Sequence, residues 1–169
     1  MFSFKINKKN IGEKYKTYFV ADIAANHDGS LNKAKELIHM CAEAGADAAK
    51  FQNFFARTIV SDYGFKSLGS KFSHQSSWKK SVFQVYKDAE VPLYWTEILK
   101  KTCDKYGIDY FTAPYDFEVP KKINKYVCAW KIGSGDITWH DHIINIAKLK
   151  KPIIIATGAS KLEEVKILY

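Results

Sequence analysis

Residues 18–51 read YFVADIAANHDGSLNKAKELIHMCAEAGADAAKF, two short apolar runs separated by one amphipathic stretch. The first run, Tyr18 to Ala25, has the length and apolar content of a buried strand. Leu31, Ala34, Leu37, Ile38, Cys41 and Ala42 then recur at the spacing that lines one face of a helix. Ser30 offers a side-chain oxygen to cap its start, and Gly45 suits its end. Ala46 to Phe51 is a second strand. Strand, helix and strand in this order form the βαβ unit, whose strands run parallel.

Downstream the alternation continues. Pro92 opens a helix through Tyr106, with Trp95, Ile98, Leu99, Thr102, Cys103 and Tyr106 facing inward and Gly107 stopping it. Ile108 to Ala113 is strand three, Phe117 to Tyr126 a short helix, and Val127 to Ile132 strand four. His140 to Leu149 is a helix, Pro152 to Ala156 strand five, and Leu162 starts a last helix. Residues 53–90 break the rhythm with a polar, aromatic excursion in which Val82 to Tyr86 is a helical turn; structureless loops of that length are uncommon and often functional. The alternation predicts an α/β fold with parallel strands and helical crossovers, either an open doubly wound sheet or a (β/α)8 barrel. A barrel needs about 250 residues, so five β/α units in 169 residues make the barrel reading an incomplete one.

Composition narrows the class. With 47% hydrophobic and 15% aromatic residues the chain can fill a core, which excludes general disorder. No apolar run approaches the ~18–20 residues of a membrane span, and Met1 to Lys16 lacks the apolar centre of a secretory signal. Cys41, Cys103 and Cys128 are odd in number, far apart and without a C-x-x-C pair, so they read as thiols of a reducing compartment. The expectation is a cytoplasmic protein without a membrane partner. The net charge of +8 fits a nucleic-acid binder, an enzyme for anionic substrates or plain solubility. The lysines fall in scattered pairs with no run of five like charges, which argues against nucleic acid.

Polar residues gather at the strand ends. Strand one carries Asp22 and runs into Asn26 and His27; strand two carries Lys50 and Gln52; strand three carries Thr112 and runs into Tyr115 and Asp116. Strand four carries Lys131 and leads to Ser134 and Asp136, and strand five leads to Thr157. In both parallel architectures the carboxyl ends share one rim, where ligands bind. Lys131, flanked by Trp130 and Ile132, is hard to explain as a solvated lysine, whereas Lys50 has a structural alternative as a lysine snorkelling from a strand end. Gly133-Ser134-Gly135 offers backbone N–H groups and a hydroxyl suited to a phosphate or carboxylate. Asp22 and Asp136 are acid–base candidates or helix caps. Asn26 to Gly29 reads as a turn and cap. His140 and His142 stand two apart, a spacing that does not place them on one helix face, so they form no metal pair.

At these residues the sequence resembles the sialic acid synthase family, the N-acetylneuraminate synthases with their legionaminate- and pseudaminate-type relatives. The matching stretches are ADIAANHDGSLNKAKELI from Ala21, DAAKFQ from Asp47, YFTAPYDFE from Tyr110, WKIGSGDITW from Trp130 and PIIIATGAS from Pro152. The resemblance implies a (β/α)8 barrel followed by an antifreeze-like domain, the latter absent from this chain. It implies condensation of phosphoenolpyruvate with an N-acylated amino sugar of the N-acetylmannosamine type, giving a nine-carbon 2-keto sugar acid and phosphate. It also implies a homodimer and a divalent metal, Mn²⁺ or Mg²⁺, whose histidine ligands come from later strands and so lie outside this chain.

Carried over by motif position, Lys50 and Lys131 resemble the lysines that hold phosphoenolpyruvate, Ser134 its hydroxyl and backbone partner, and Gln52 a sugar-side contact. Thr112 and Thr157 are counted with the substrate-binding residues, and Asp22 and Asp136 occupy the two acidic positions, Asp136 the preferred catalytic group. The sequence departs from the family pattern in carrying Asp where Glu is usual at both acidic positions, shorter by about 1.5 Å. Ala113 and Ala156 stand where relatives carry hydroxyl residues, at a cost of about 1 kcal/mol each in binding. On this reading the 169-residue chain alone is inactive. Two alternatives remain: a Schiff-base aldolase using Lys131 as the nucleophilic amine, and a non-catalytic half-barrel that binds anions or a partner chain.

Overall fold

A computed structural model describes residues 3–68 and 78–168. Five parallel strands form one sheet: β3 (Val20–Ala24), β4 (Ala48–Asn53), β5 (Asp109–Pro114), β6 (Trp130–Ile132) and β7 (Ile153–Ile155). Their spatial order is their order in the chain. A doubly wound sheet reverses order at a switch point, whereas a barrel adds each strand beside the last. The sequential order therefore decides for the barrel type, with five β/α units.

The helices follow from local chemistry. In α1 (Leu31–Glu43) the Ser30 hydroxyl accepts from the Lys33 N–H at 3.2 Å. Past its end Gly45 takes φ 84°, a left-handed conformation costly for a side-chain-bearing residue. The expected excursion holds two short helices, α2 (Ala56–Ile59) and α3 (Asp62–Leu68), and the expected turn is α4 (Val82–Asp88). Its Gly69 and the serines up to Ser77 lie outside the described residues. The helix expected from Pro92 begins as a turn, Trp95 N–H to the Pro92 carbonyl at 2.9 Å, and becomes α5 (Trp95–Lys105). The helix expected over 117–126 divides into α6 (Val119–Ile123) and a 3-10 turn over Asn124–Tyr126. Two helices follow as expected, α7 (His140–Ala147) and α8 (Leu162–Ile167).

The N-terminal stretch forms an antiparallel hairpin, β1 (Ser3–Ile6) and β2 (Lys9–Gly12), turned through Asn7 at φ 51°. It covers the amino ends of the parallel strands. Ile6 is buried, Asn7 Nδ2 donates to Asp109 Oδ1 at 2.8 Å, and Lys9 pairs with Asp47 at 2.5 Å. The carboxyl ends form the opposite rim, where the long connection after β4 emerges.

Register assigns the faces. Lys50 lies beside Asp22 and Phe111, and Gln52 beside Ala113, while Phe51 lies beside Thr112 and Thr112 beside Trp130. Alternation then puts Asp22, Lys50, Gln52, Ala113 and Lys131 on the inner face. Phe51, Tyr110 and Trp130 take the outer face, where they are fully buried in one core with Ile38, Leu99, Cys103 and Ile146. Side chains of that size contribute roughly 1.5–3 kcal/mol each on burial, so the outer face supplies much of the stability, while the inner face sets charged residues beside the buried Phe111.

Candidate active site

Parallel strands end together, so the carboxyl-end residues form one rim. Lys50 enters it from an apolar strand, is 6% exposed, and pairs with Asp22 at 2.7 Å. A lysine this buried persists because a carboxylate accepts its charge. The β3–β4 register slips between Asp22 and Ala24, and Ala24 takes φ 51°. Such bulges recur beside active sites, where they re-aim a side chain; here the slip directly follows Asp22.

Lys131 reaches the same face from β6. It is half-buried and forms no ion pair among the described residues. Burial, then the charge of Lys50, lowers its pKa, with Asp22 opposing. Two lysines thus stand close enough to repel, with the one carboxylate, Asp22, paired to Lys50. That arrangement is unfavourable without a ligand and suited to an anion of more than one charge.

Beyond β6 the chain makes a 3-10 turn over Ser134–Asp136. A side chain on Gly133 would meet Asp136 Oδ2 at 2.8 Å and the Tyr115 hydroxyl at 3.5 Å. The absent side chain lets this carboxylate and this phenol converge. Burial raises the Asp136 pKa, and His142 opposes the rise. Burial, then Asp136 and Asp22, pushes Tyr115 up to about 12. Ser160 Oγ donates to the Ser134 carbonyl at 3.2 Å, tying the loop after β7 to this turn.

Asp22, Lys50, Gln52 and Lys131 share the inner face by register, and Ser134 and Asp136 follow in the turn past β6. The structure does not bring Thr112 or Thr157 to them. Thr112 points outward, fully buried, its hydroxyl without a partner among the described residues. Thr157 is exposed and lines a cavity with Ile153, Ile155, Val165 and Leu168, between β7 and α8. Both miss the rim for one reason: strand alternation sets the face, and neither threonine shares the parity of the lysines. Tyr115, placed by sequence at a strand end without a role, joins the rim; its spacing from Ala113 was the available signal.

Other polar residues at the strand ends are structural. Asp116 accepts from the N–H groups of Glu118 and Val119 at 2.7 and 3.1 Å, holding the start of α6. His27 is buried in the turn before α1, its Nδ1 accepting from the Gly29 N–H at 3.1 Å, edge-on to Trp95. His140 is exposed and His142 buried. The His142 Nε2 lies 3.0 Å from the Pro114 carbonyl, and its ring stacks on Trp139 at 4.3 Å. No group of three or more His, Cys, Asp or Glu converges to hold a metal among the described residues.

A family model described as the NeuB family matches residues 37–168. The chain belongs to the NeuB family. Among its relatives, N,N'-diacetyllegionaminic acid synthase of Campylobacter jejuni is 34% identical over 152 residues, covering 89% of this chain and 45% of that protein. Pseudaminic acid synthase of the same species is 30% identical over 160 residues, covering 92% of this chain and 45% of that protein. The N-acetylneuraminic acid synthetase of Leptospira borgpetersenii superposes with a TM-score of 0.82 at 23% identity, over 98% of this chain and 53% of that one. That likeness carries the fold. The chain spans about half the length of the NeuB-family relatives it matches.

Proposed function

We propose that this chain supplies the phosphoenolpyruvate side of a sialic-acid-synthase-type condensing site, in a barrel to which its five units contribute. The observation that carries the reading is the convergence of Lys50 and Lys131 on one inner face, with Lys50 buried and Lys131 half-buried and without an ion pair among the described residues. Phosphoenolpyruvate brings a carboxylate and a phosphate, and two lysines plus the Ser134 turn match that charge.

The chemistry follows from the occupants. C3 of phosphoenolpyruvate forms a bond to the aldehyde carbon of an N-acylated amino sugar, whose oxygen becomes an alkoxide and takes a proton. Water adds to C2, and the tetrahedral centre expels phosphate with its C–O electrons, leaving the 2-keto acid. Lys50 and Lys131 hold the leaving phosphate and carboxylate in place. Asp136, its pKa raised by burial, is disposed to hold a proton and pass it to the alkoxide. Asp22 fixes the Lys50 ammonium. Among the described residues no group of three or more His, Cys, Asp or Glu could hold the divalent metal the family resemblance implies.

The test is phosphate release from phosphoenolpyruvate, measured on the longest protein that contains this chain, with N-acetylmannosamine and Mn²⁺. Sugar-dependent release supports the reading. A pyruvate adduct on Lys131 trapped by borohydride contradicts it and assigns a Schiff-base aldolase.

A further inference from the structure

Tyr115 stands just past the end of β5, its backbone N–H donating to the Asn53 carbonyl at 3.0 Å. Its hydroxyl approaches Gly133 beside Asp136 and makes no hydrogen bond among the described residues. On its other side lies an aromatic wall. Phe54 meets the Tyr115 ring edge-on at 6.5 Å and packs on Tyr86 at 5.6 Å. Phe54 is buried and Tyr86 half-buried.

The donor inventory of the rim gives this hydroxyl a purpose. Asp22 accepts from Lys50, and Asp136 is assigned to proton transfer with the alkoxide, so neither is left to donate to the sugar's amide. A carbonyl has lone pairs and no proton, so it needs a donor. Lys50, held by Asp22, and Lys131 are both placed for the anion. The Gln52 amide and the Tyr115 phenol are the neutral donors not assigned to the anion, and of the two the phenol stands beside aromatic rings. A donor next to aromatic rings matches an acetamido group, whose carbonyl accepts while its methyl packs.

We propose that Tyr115 is a substrate-contacting residue that recognises the N-acyl group of the amino sugar, donating to its carbonyl oxygen while Phe54 and Tyr86 receive the methyl. The inference rests on the condensing function proposed above. Its phenol stays protonated through the neutral range, since its pKa is pushed up to about 12.

Tyr115→Phe removes the hydroxyl and keeps the ring. The longest protein that contains this chain is loaded with phosphoenolpyruvate and titrated with N-acetylmannosamine carrying ¹³C at the acetyl carbonyl. The expected result is a downfield carbonyl shift on binding to the wild type, lost in Tyr115→Phe with an affinity about 3–10-fold weaker. Phosphoenolpyruvate affinity is equal in both proteins, which shows that the variant is folded. Equal carbonyl shifts in the two proteins overturn the inference and leave the condensing function standing. A wild type that takes phosphoenolpyruvate but not the sugar also overturns it. A wild type that takes neither overturns both.

Discussion

Lys131→Met isolates the free lysine of the rim, because methionine keeps the apolar stem and deletes the charge. The structure sets two expectations of opposite sign. For binding, one charge-assisted contact of roughly 1.5–3 kcal/mol disappears, so phosphoenolpyruvate affinity falls about 10–150-fold. Take a concentration 100 times the wild-type Kd, where ligand stabilises the wild type by about 2.7 kcal/mol. A variant bound 100-fold more weakly then gains only about 0.4 kcal/mol. In thermal unfolding that is roughly 5–10 °C of ligand-induced shift against about 1 °C. For the unliganded protein the sign reverses. Burial and Lys50 hold the folded-state pKa of Lys131 below its unfolded value, so the unfolded chain binds the proton more tightly. The charge penalty is full at neutral pH, and wild-type stability rises with pH through the window between the two pKa values. Above about 10.4 both states are neutral and the penalty is gone. Lys131→Met is therefore at least as stable as wild type at pH 7, and any advantage vanishes above that window. Unchanged ligand shift removes Lys131 from the site; a lower unliganded Tm at pH 7 refutes the account of a charge held against desolvation.

Asp136→Asn tests the other end of the rim. Its folded-state pKa lies above the unfolded one, so the wild-type penalty is absent below the unfolded pKa and grows as pH rises through the folded value. Urea unfolding is expected to find the variant as stable as wild type or more so at pH 7, converging near pH 3, while turnover of the complete enzyme drops ~10²–10⁴-fold. Gly133→Ala puts a methyl 2.8 Å from Asp136 Oδ2; circular dichroism should report an intact fold while phosphoenolpyruvate affinity and the Tyr115 titration both change. Thr112→Val removes a buried hydroxyl with no partner among the described residues; Tm is expected to stay or rise and phosphoenolpyruvate affinity to stay, and a loss of affinity would put Thr112 back at the rim.

The βαβ rhythm was legible because strand runs such as ADAAKF and the α1 face are long and uniform in period. The hairpin was not: its strands have four residues each, and Ser3, Lys5, Lys9 and Asn10 dilute the apolar signal. Strand order was also silent, since both parallel architectures share one local pattern and differ only in which strands become neighbours. At the site, Lys50, Lys131 and Asp136 could be read from charge set among apolar residues. Alternation, read from sequence alone, already turns Thr112 to the face opposite Ala113, whereas Thr157 rested on its nearness to a strand end. Tyr115 falls at the strand-end rim by sequence, with no role legible there. Its role appears only when Gly133 and Asp136 fold back against it.

Calorimetric titration of the wild-type chain with phosphoenolpyruvate, beside a Lys50→Met/Lys131→Met double variant, tests the rim most directly. The account predicts saturable one-to-one binding that weakens as salt rises and is lost in the double variant. Equal heats from both proteins, or none from the wild type, would contradict it.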